Sequence, residues 1–145
     1  MQIPPLARSI GAAERSLQAL LERELSKSGL SFAEWIALVF TSATPLSAEQ
    51  LVQRQLSGHV VSNAAQSKQA IDKLVSAGFL SKDKVNLLCH SVSGQATFKK
   101  LSTAVEGITH ALFGDLSQVN LEVTHKTLLE IGSRANALLA LSADA

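Results

Sequence analysis

The sequence predicts a mainly α-helical chain folded as one compact domain and carrying a single small β-hairpin. Three observations predict it. Leucines recur at spacings of three and four in long segments near both ends, two Ser-x-x-Glu/Gln capping boxes stand directly before apolar stretches, and only residues 79 to 92 show a strand-like pattern.

The elements follow in order. Leu17, Leu20, Leu21 and Leu25 mark a first helix over roughly residues 7 to 28, with Gly29 placed for a left-handed C-terminal cap. Ser31 to Glu34 is a capping box, stapled by Leu30 and Trp35, that starts a second helix. Thr41 to Pro45 stops it, because a residue before proline avoids the helical region. Ser47 to Gln50, with Leu46 and Leu51, repeats the device and opens a brief helix ending near Leu56. Ser57-Gly58-His59-Val60-Val61 interrupts, and Ser62 or Asn63 caps a fourth helix that turns Ala64, Ile71, Leu74 and Val75 inward and stops at Gly78. Ser62, Gln66, Gln69 and Lys73 fall in a narrow arc opposite Ile71, a polar, amide-rich stripe. Phe79 and Leu80, a turn at Lys82-Asp83-Lys84, and a strand from Val85 to Val92 form the expected hairpin, with Leu87, Cys89 and Ser91 on one side.

Two long helices complete the chain, separated by Asp115 to Asn120. Phe98, Leu101, Val105, Ile108 and Leu112 form one seam, and Leu121, Leu128, Ile131, Ala135 and Leu138 another. Two such stripes exceed what one small domain covers, so burial against a second copy of the chain is expected, with Leu128, Ile131, Ala135 and Leu138 at the interface.

Composition narrows the function classes. Of 145 residues, 46% are apolar and 17% charged, which excludes a disordered, highly charged tail. No apolar run approaches the length of a membrane span, the start Met-Gln-Ile-Pro-Pro lacks the pattern of a secretory signal, and Cys89 has no partner for an internal disulfide. A cytoplasmic location without membrane contact is expected. The formal charge of +1 conceals an asymmetry: residues 1 to 50 carry a net −1, residues 51 to 100 a net +5, and residues 101 to 145 a net −3. The middle of the chain is therefore where an anion would be met.

The element order, with Leu46-Ser47-Ala48-Glu49-Gln50-Leu51, Ala70-Ile71-Asp72-Lys73-Leu74-Val75-Ser76-Ala77-Gly78-Phe79-Leu80, and Gly29-Leu30 before Trp35, resembles the MarR family of winged helix-turn-helix regulators over nearly the whole chain. The resemblance implies a mainly α winged helix-turn-helix lobe over residues 30–95 with the hairpin as its wing. Residues 1–29 and 96–145 would supply flanking dimerisation helices. It further implies a homodimer reading a pseudo-palindromic site on double-stranded DNA with the helix at about 62–77, and release by a small aromatic or amphipathic effector. In that frame Ser62, Asn63, Gln66 and Gln69 face bases, since Gln bonds bidentately to adenine, and Arg54, Lys68, Lys73, Lys82 and Lys84 hold phosphates.

Two departures stand out. The connection at Ser57 to Val61 is longer than the usual turn of three or four residues, and no arginine lies between Gly78 and Gly94, where the family's wing carries Asp-x-Arg. They motivate an alternative, a winged-helix dimer that binds another protein instead of an operator. Enzyme motifs are absent: the chain has no phosphate loop, no His-Glu-x-x-His pair and no Gly-x-Ser-x-Gly elbow, so no enzyme activity, catalytic residue or cofactor is expected. His110 and His125 have no ligand-spaced companions, which argues against a metal site, and Cys89 is expected as a small core residue. Phe32, Trp35 and Phe98 are the aromatic residues available to line an effector cavity, although Trp35 on an apolar face fits a core position better.

Overall fold

A computed structural model describes residues 1–143. It contains six helices and two strands: α1 (Leu6–Ser26), α2 (Phe32–Ser42), α3 (Ala48–Ser57), α4 (Ala64–Ser76), β1 (Leu80–Lys82), β2 (Leu88–His90), α5 (Val92–Phe113) and α6 (Gln118–Ala143). The chain divides into two compact units, one ending at Val105 and one starting at Glu106.

The first unit is built on local signals that the chain spells out. Ser31 and Ser47 each accept a hydrogen bond from the backbone N–H three residues on, while the Glu34 and Gln50 side chains accept from the capping residues' own N–H groups. Both capping boxes are thus complete, satisfying donors a helix start otherwise leaves open. Gly29 and Gly78 adopt φ of +69° and +80° and close α1 and α4 as Schellman motifs, Leu30 N–H reaching Leu25 O and Phe79 N–H reaching Leu74 O. The end of α3 uses the same device without glycine. His59, at φ 57°, takes the left-handed position, and Val60 N–H donates to Gln55 O at 2.9 Å. The long connection noted in the sequence is therefore a closed helix end followed by an extended cap at Asn63, not an open loop.

Leu25, Leu38, Leu51, Leu74 and Leu88 are fully buried and bring α1, α2, α3, α4 and the hairpin onto one core. Trp35 is also buried there, stacked on Phe98 at 5.5 Å, and His90 meets Phe98 edge-on at 5.3 Å. These aromatic rings fill the core.

The hairpin departs from its sequence reading. The tip is Asp83 to Leu87, because Asp83 Oδ1 accepts from the N–H groups of both Val85 and Leu87 at 2.9 Å and Asn86 supplies a positive φ of 65°. The second strand consequently starts at Leu88, and its inward side chains are Leu88 and His90, not Leu87, Cys89 and Ser91. Leu88 is fully buried, and His90 Nε2 donates to Leu38 O at 2.9 Å. Cys89 lies on the opposite face, half-buried, with its Sγ 3.4 Å from Ser81 O, so it is not a core residue. Leu46 pairs with Leu88 as a one-residue third strand, which ties the hairpin to the start of α3.

At the base of the hairpin the Gly78 carbonyl accepts from the hydroxyls of Ser91 and Ser93. Gly94 is buried in the first turn of α5, where a Cβ would stand 1.9 Å from Phe79 O. Only glycine fits that approach.

In the second unit the break between the long helices is shorter than the sequence suggested, since α6 begins at Gln118 and leaves Gly114 to Ser117 as the connection. Val119, Val123, Leu129, Leu139 and Leu141 of α6 are all more than half exposed. Among the described residues no helix is long and apolar enough to cross a membrane.

Candidate nucleic-acid interface

The polar stripe of the fourth helix is the candidate site, and its geometry follows from what α4 buries. Ser67, Ala70, Ile71 and Leu74 face the core. At 100° per residue the diametrically opposite row is Ala65, Gln69, Asp72 and Ser76, all exposed. Ser62, Gln66 and Lys73 lie on one shoulder of that row and Lys68 on the other. Taking Ile71 alone as the inward reference, as the sequence invites, shifts the stripe by about half the spacing of neighbouring residues and misses Ala65, Asp72 and Ser76. The centre of the full buried set corrects it.

Three of the four base-facing candidates are joined in the first turn of α4. Asn63 caps the helix, its Oδ1 accepting from Gln66 N–H at 3.0 Å, and the Gln66 Oε1 accepts in turn from Ser62 N–H at 2.8 Å. The Asn63 and Gln66 oxygens are therefore engaged by backbone, while the Gln66 amide NH₂ is directed elsewhere. Gln69, one turn along, is exposed on the outermost row. A base contact by Gln69 needs no hydrogen bond within the protein to be broken; one through the Gln66 oxygen costs a cap.

The cations are distributed over three elements. Lys68 and Lys73 belong to α4, Lys82 ends β1, and Lys84 sits in the hairpin tip. Arg54 belongs to α3, with its guanidinium over the Phe40 ring at 5.5 Å, an arrangement that holds its long side chain in place. Among the described residues the ion pairs are Lys27–Glu24 and Arg134–Glu130, so none of these five cations is neutralised by a neighbouring carboxylate. Asp72 is likewise without an ion-pair partner there, and Asp83, between the two hairpin lysines, is held by its own loop. Among the described residues there is no group of three side chains suited to a metal ion.

The sequence reading also missed a buried polar pair beneath the stripe. Gln55 and Ser67 are both 0% exposed; Ser67 Oγ donates to Gln55 Oε1 at 2.6 Å, and Gln55 Nε2 donates to Ala33 O at 2.8 Å. The predicted interface residues Leu128, Ile131, Ala135 and Leu138 all lie on α6 in the second unit, Ile131 half-buried and the other three exposed.

No protein-family model and no curated protein matches the sequence. Solved structures do. The transcriptional regulator PA3341 is similar with a TM-score of 0.77 at 15% identity, over 91% of this chain and 98% of that one. The transcriptional regulator BldR from Sulfolobus solfataricus gives 0.72 at 21% identity, over 89% and 93%. The Mycobacterium tuberculosis MarR family protein Rv2887, in a complex with DNA, gives 0.70 at 19% identity, over 90% and 99%, and the same protein has a structure with p-aminosalicylic acid. At these identities the shared property is the fold: this chain is a mainly helical winged helix of the kind found in MarR-family regulators.

Proposed function

We propose that the protein is a DNA-binding transcription regulator that acts as a homodimer and reads a pseudo-palindromic operator with α4. The observation that carries this reading is the outward row of α4, a polar face on a helix anchored at its start, middle and end, flanked by cations that have no ion-pair partner among the described residues. Gln69 is the leading base contact, with Ser62, Asn63 and Gln66 around the helix start; Arg54, Lys68, Lys73, Lys82 and Lys84 hold phosphates. Residues 30–95 act as the reading lobe, and residues 1–29 and 96–145 as the segments that pair. Exposed apolar side chains along α6 support pairing, since burying a leucine is worth about 1.5–3 kcal/mol. The DNA and p-aminosalicylic acid complexes of a similar fold support DNA and a small aromatic effector as partners. An effector favouring a conformation with wrongly spaced α4 helices would release DNA by its affinity ratio for the two states.

The test is binding to genomic and random DNA fragments over a salt series. Selection of particular fragments with a steep negative salt slope is expected. Gln69→Ala should reduce discrimination by about 1–3 kcal/mol, whereas Lys84→Ala should weaken all DNA evenly and flatten the slope by about one unit. No binding at low salt would reject the reading. It would favour the second one, a winged-helix dimer that binds another protein, which is motivated by the cap bonds that occupy Asn63 and Gln66 and by a hairpin whose only cations flank Asp83.

A further inference from the structure

We infer that Gln55 and Ser67 form a rotational lock that sets which row of α4 faces outward, making both positioning residues for sequence discrimination. The inference deepens the DNA-binding reading and rests on it. Gln55 reaches from α3 to both neighbours at once: its NH₂ donates to the Ala33 carbonyl on α2, and its oxygen accepts from the Ser67 hydroxyl on α4. The orientation of the amide is dictated, because a carbonyl only accepts, so Ala33 takes the NH₂ and leaves the oxygen to Ser67. Ser67 in turn uses its only hydroxyl proton on Gln55, although a helical serine has a backbone carbonyl one turn back within reach.

Such a pair is a poor device for stability alone. Replacing both partners of a buried hydrogen bond by apolar groups of similar shape is close to neutral. What apolar contacts do not supply is direction. The remaining buried residues of α4 are Ala70, Ile71 and Leu74, whose apolar contacts are non-directional and can re-form with neighbouring side chains after a small rotation. The Ser67–Gln55 bond is lost over the same range. A rotation of about 20° carries side chains at a helix radius of about 5–6 Å through about 2 Å, enough to take Gln69 out of hydrogen-bonding range of a base edge. The lock sits beneath the first half of α4, where Gln66 and Gln69 lie.

The test compares full-length wild type, Ser67→Ala, and the double variant Gln55→Met with Ser67→Ala. Ser67→Ala leaves the Gln55 oxygen buried without a donor and is expected to lower the melting temperature. The double variant is expected to restore it to within a few degrees, yet to lose at least about tenfold in the ratio of selected to random DNA affinity, with random DNA bound as before. Backbone ¹⁵N relaxation dispersion supplies a readout that needs no DNA: α4 amides should show microsecond-to-millisecond exchange in the double variant and none in wild type. A double variant that is stable, discriminates within twofold of wild type and shows no added exchange overturns the lock. If wild type selects no DNA, the DNA-binding reading fails on its own, and the dispersion result alone decides whether the lock exists: exchange confined to α4 supports it, and its absence overturns it.

Discussion

The lobe ending at Val105 and the segment from Glu106 onward use apolar residues in opposite ways. In the lobe, leucines from five elements reach complete burial, and the polar residues buried among them, Glu34, Thr41, Gln55 and Ser67, are hydrogen-bonded. In the second unit most leucines and valines of α6 stand in solvent, Val119 at 68% and Leu129 at 61% exposure. The contrast separates a unit with a buried core of its own from one that presents exposed apolar side chains. It locates the source of each part's stability: sequence-local contacts and a shared core in one, a second copy of the chain, on our proposal, in the other.

Three measurements probe the contrast, beginning with the largest effect. Leu38→Ala empties a fully buried site and should cost about 2–5 kcal/mol in urea denaturation at any protein concentration, because the lobe's core is internal. Replacing Leu128 and Ile131 together by Ser should act differently. Light scattering should find a monomer, and the melting temperature should lose its dependence on concentration while the lobe's circular dichroism persists. A dimer that survives this pair of changes would place the interface elsewhere. The smallest effect is a gain: His59→Gly should stabilise the lobe by about 0.5–1 kcal/mol, since a non-glycine residue at φ 57° carries a steric cost that glycine avoids. Thermal denaturation would detect it as a rise of a few degrees.

Several helix ends of the first unit were legible in the sequence because they are written in adjacent residues. Ser31 with Glu34, Ser47 with Gln50, and glycines at 29 and 78 act within one turn, so their positions suffice. The hairpin phase was not legible. Leu87 and Leu88 are both apolar, and alternation alone cannot choose between them; Asp83 chooses, by holding a tip that ends at Leu87. The outward row of α4 was read only in part for a related reason. Ser67 looks like a surface serine until Gln55, twelve positions away, provides its partner. Cys89 was misplaced along with the strand that carries it. In each case the missing information was a contact between residues distant in sequence or a side chain bonding to backbone, neither of which leaves a periodic trace.

The hairpin's two closures have a practical consequence for engineering. Its base is pinned where the Ser91 and Ser93 hydroxyls meet the Gly78 carbonyl, and its far end is held by a single aspartate. Nothing between Lys84 and Asn86 is buried. Extra residues inserted between Lys84 and Val85 would replace the Asp83 closure by a longer solvent-exposed loop, at the loss of those two bonds and a loop-entropy cost of only about 0.6 kcal/mol for each doubling. That makes the position a natural graft point, where a longer, arginine-bearing loop from another winged helix can be installed while the helices beneath keep their packing.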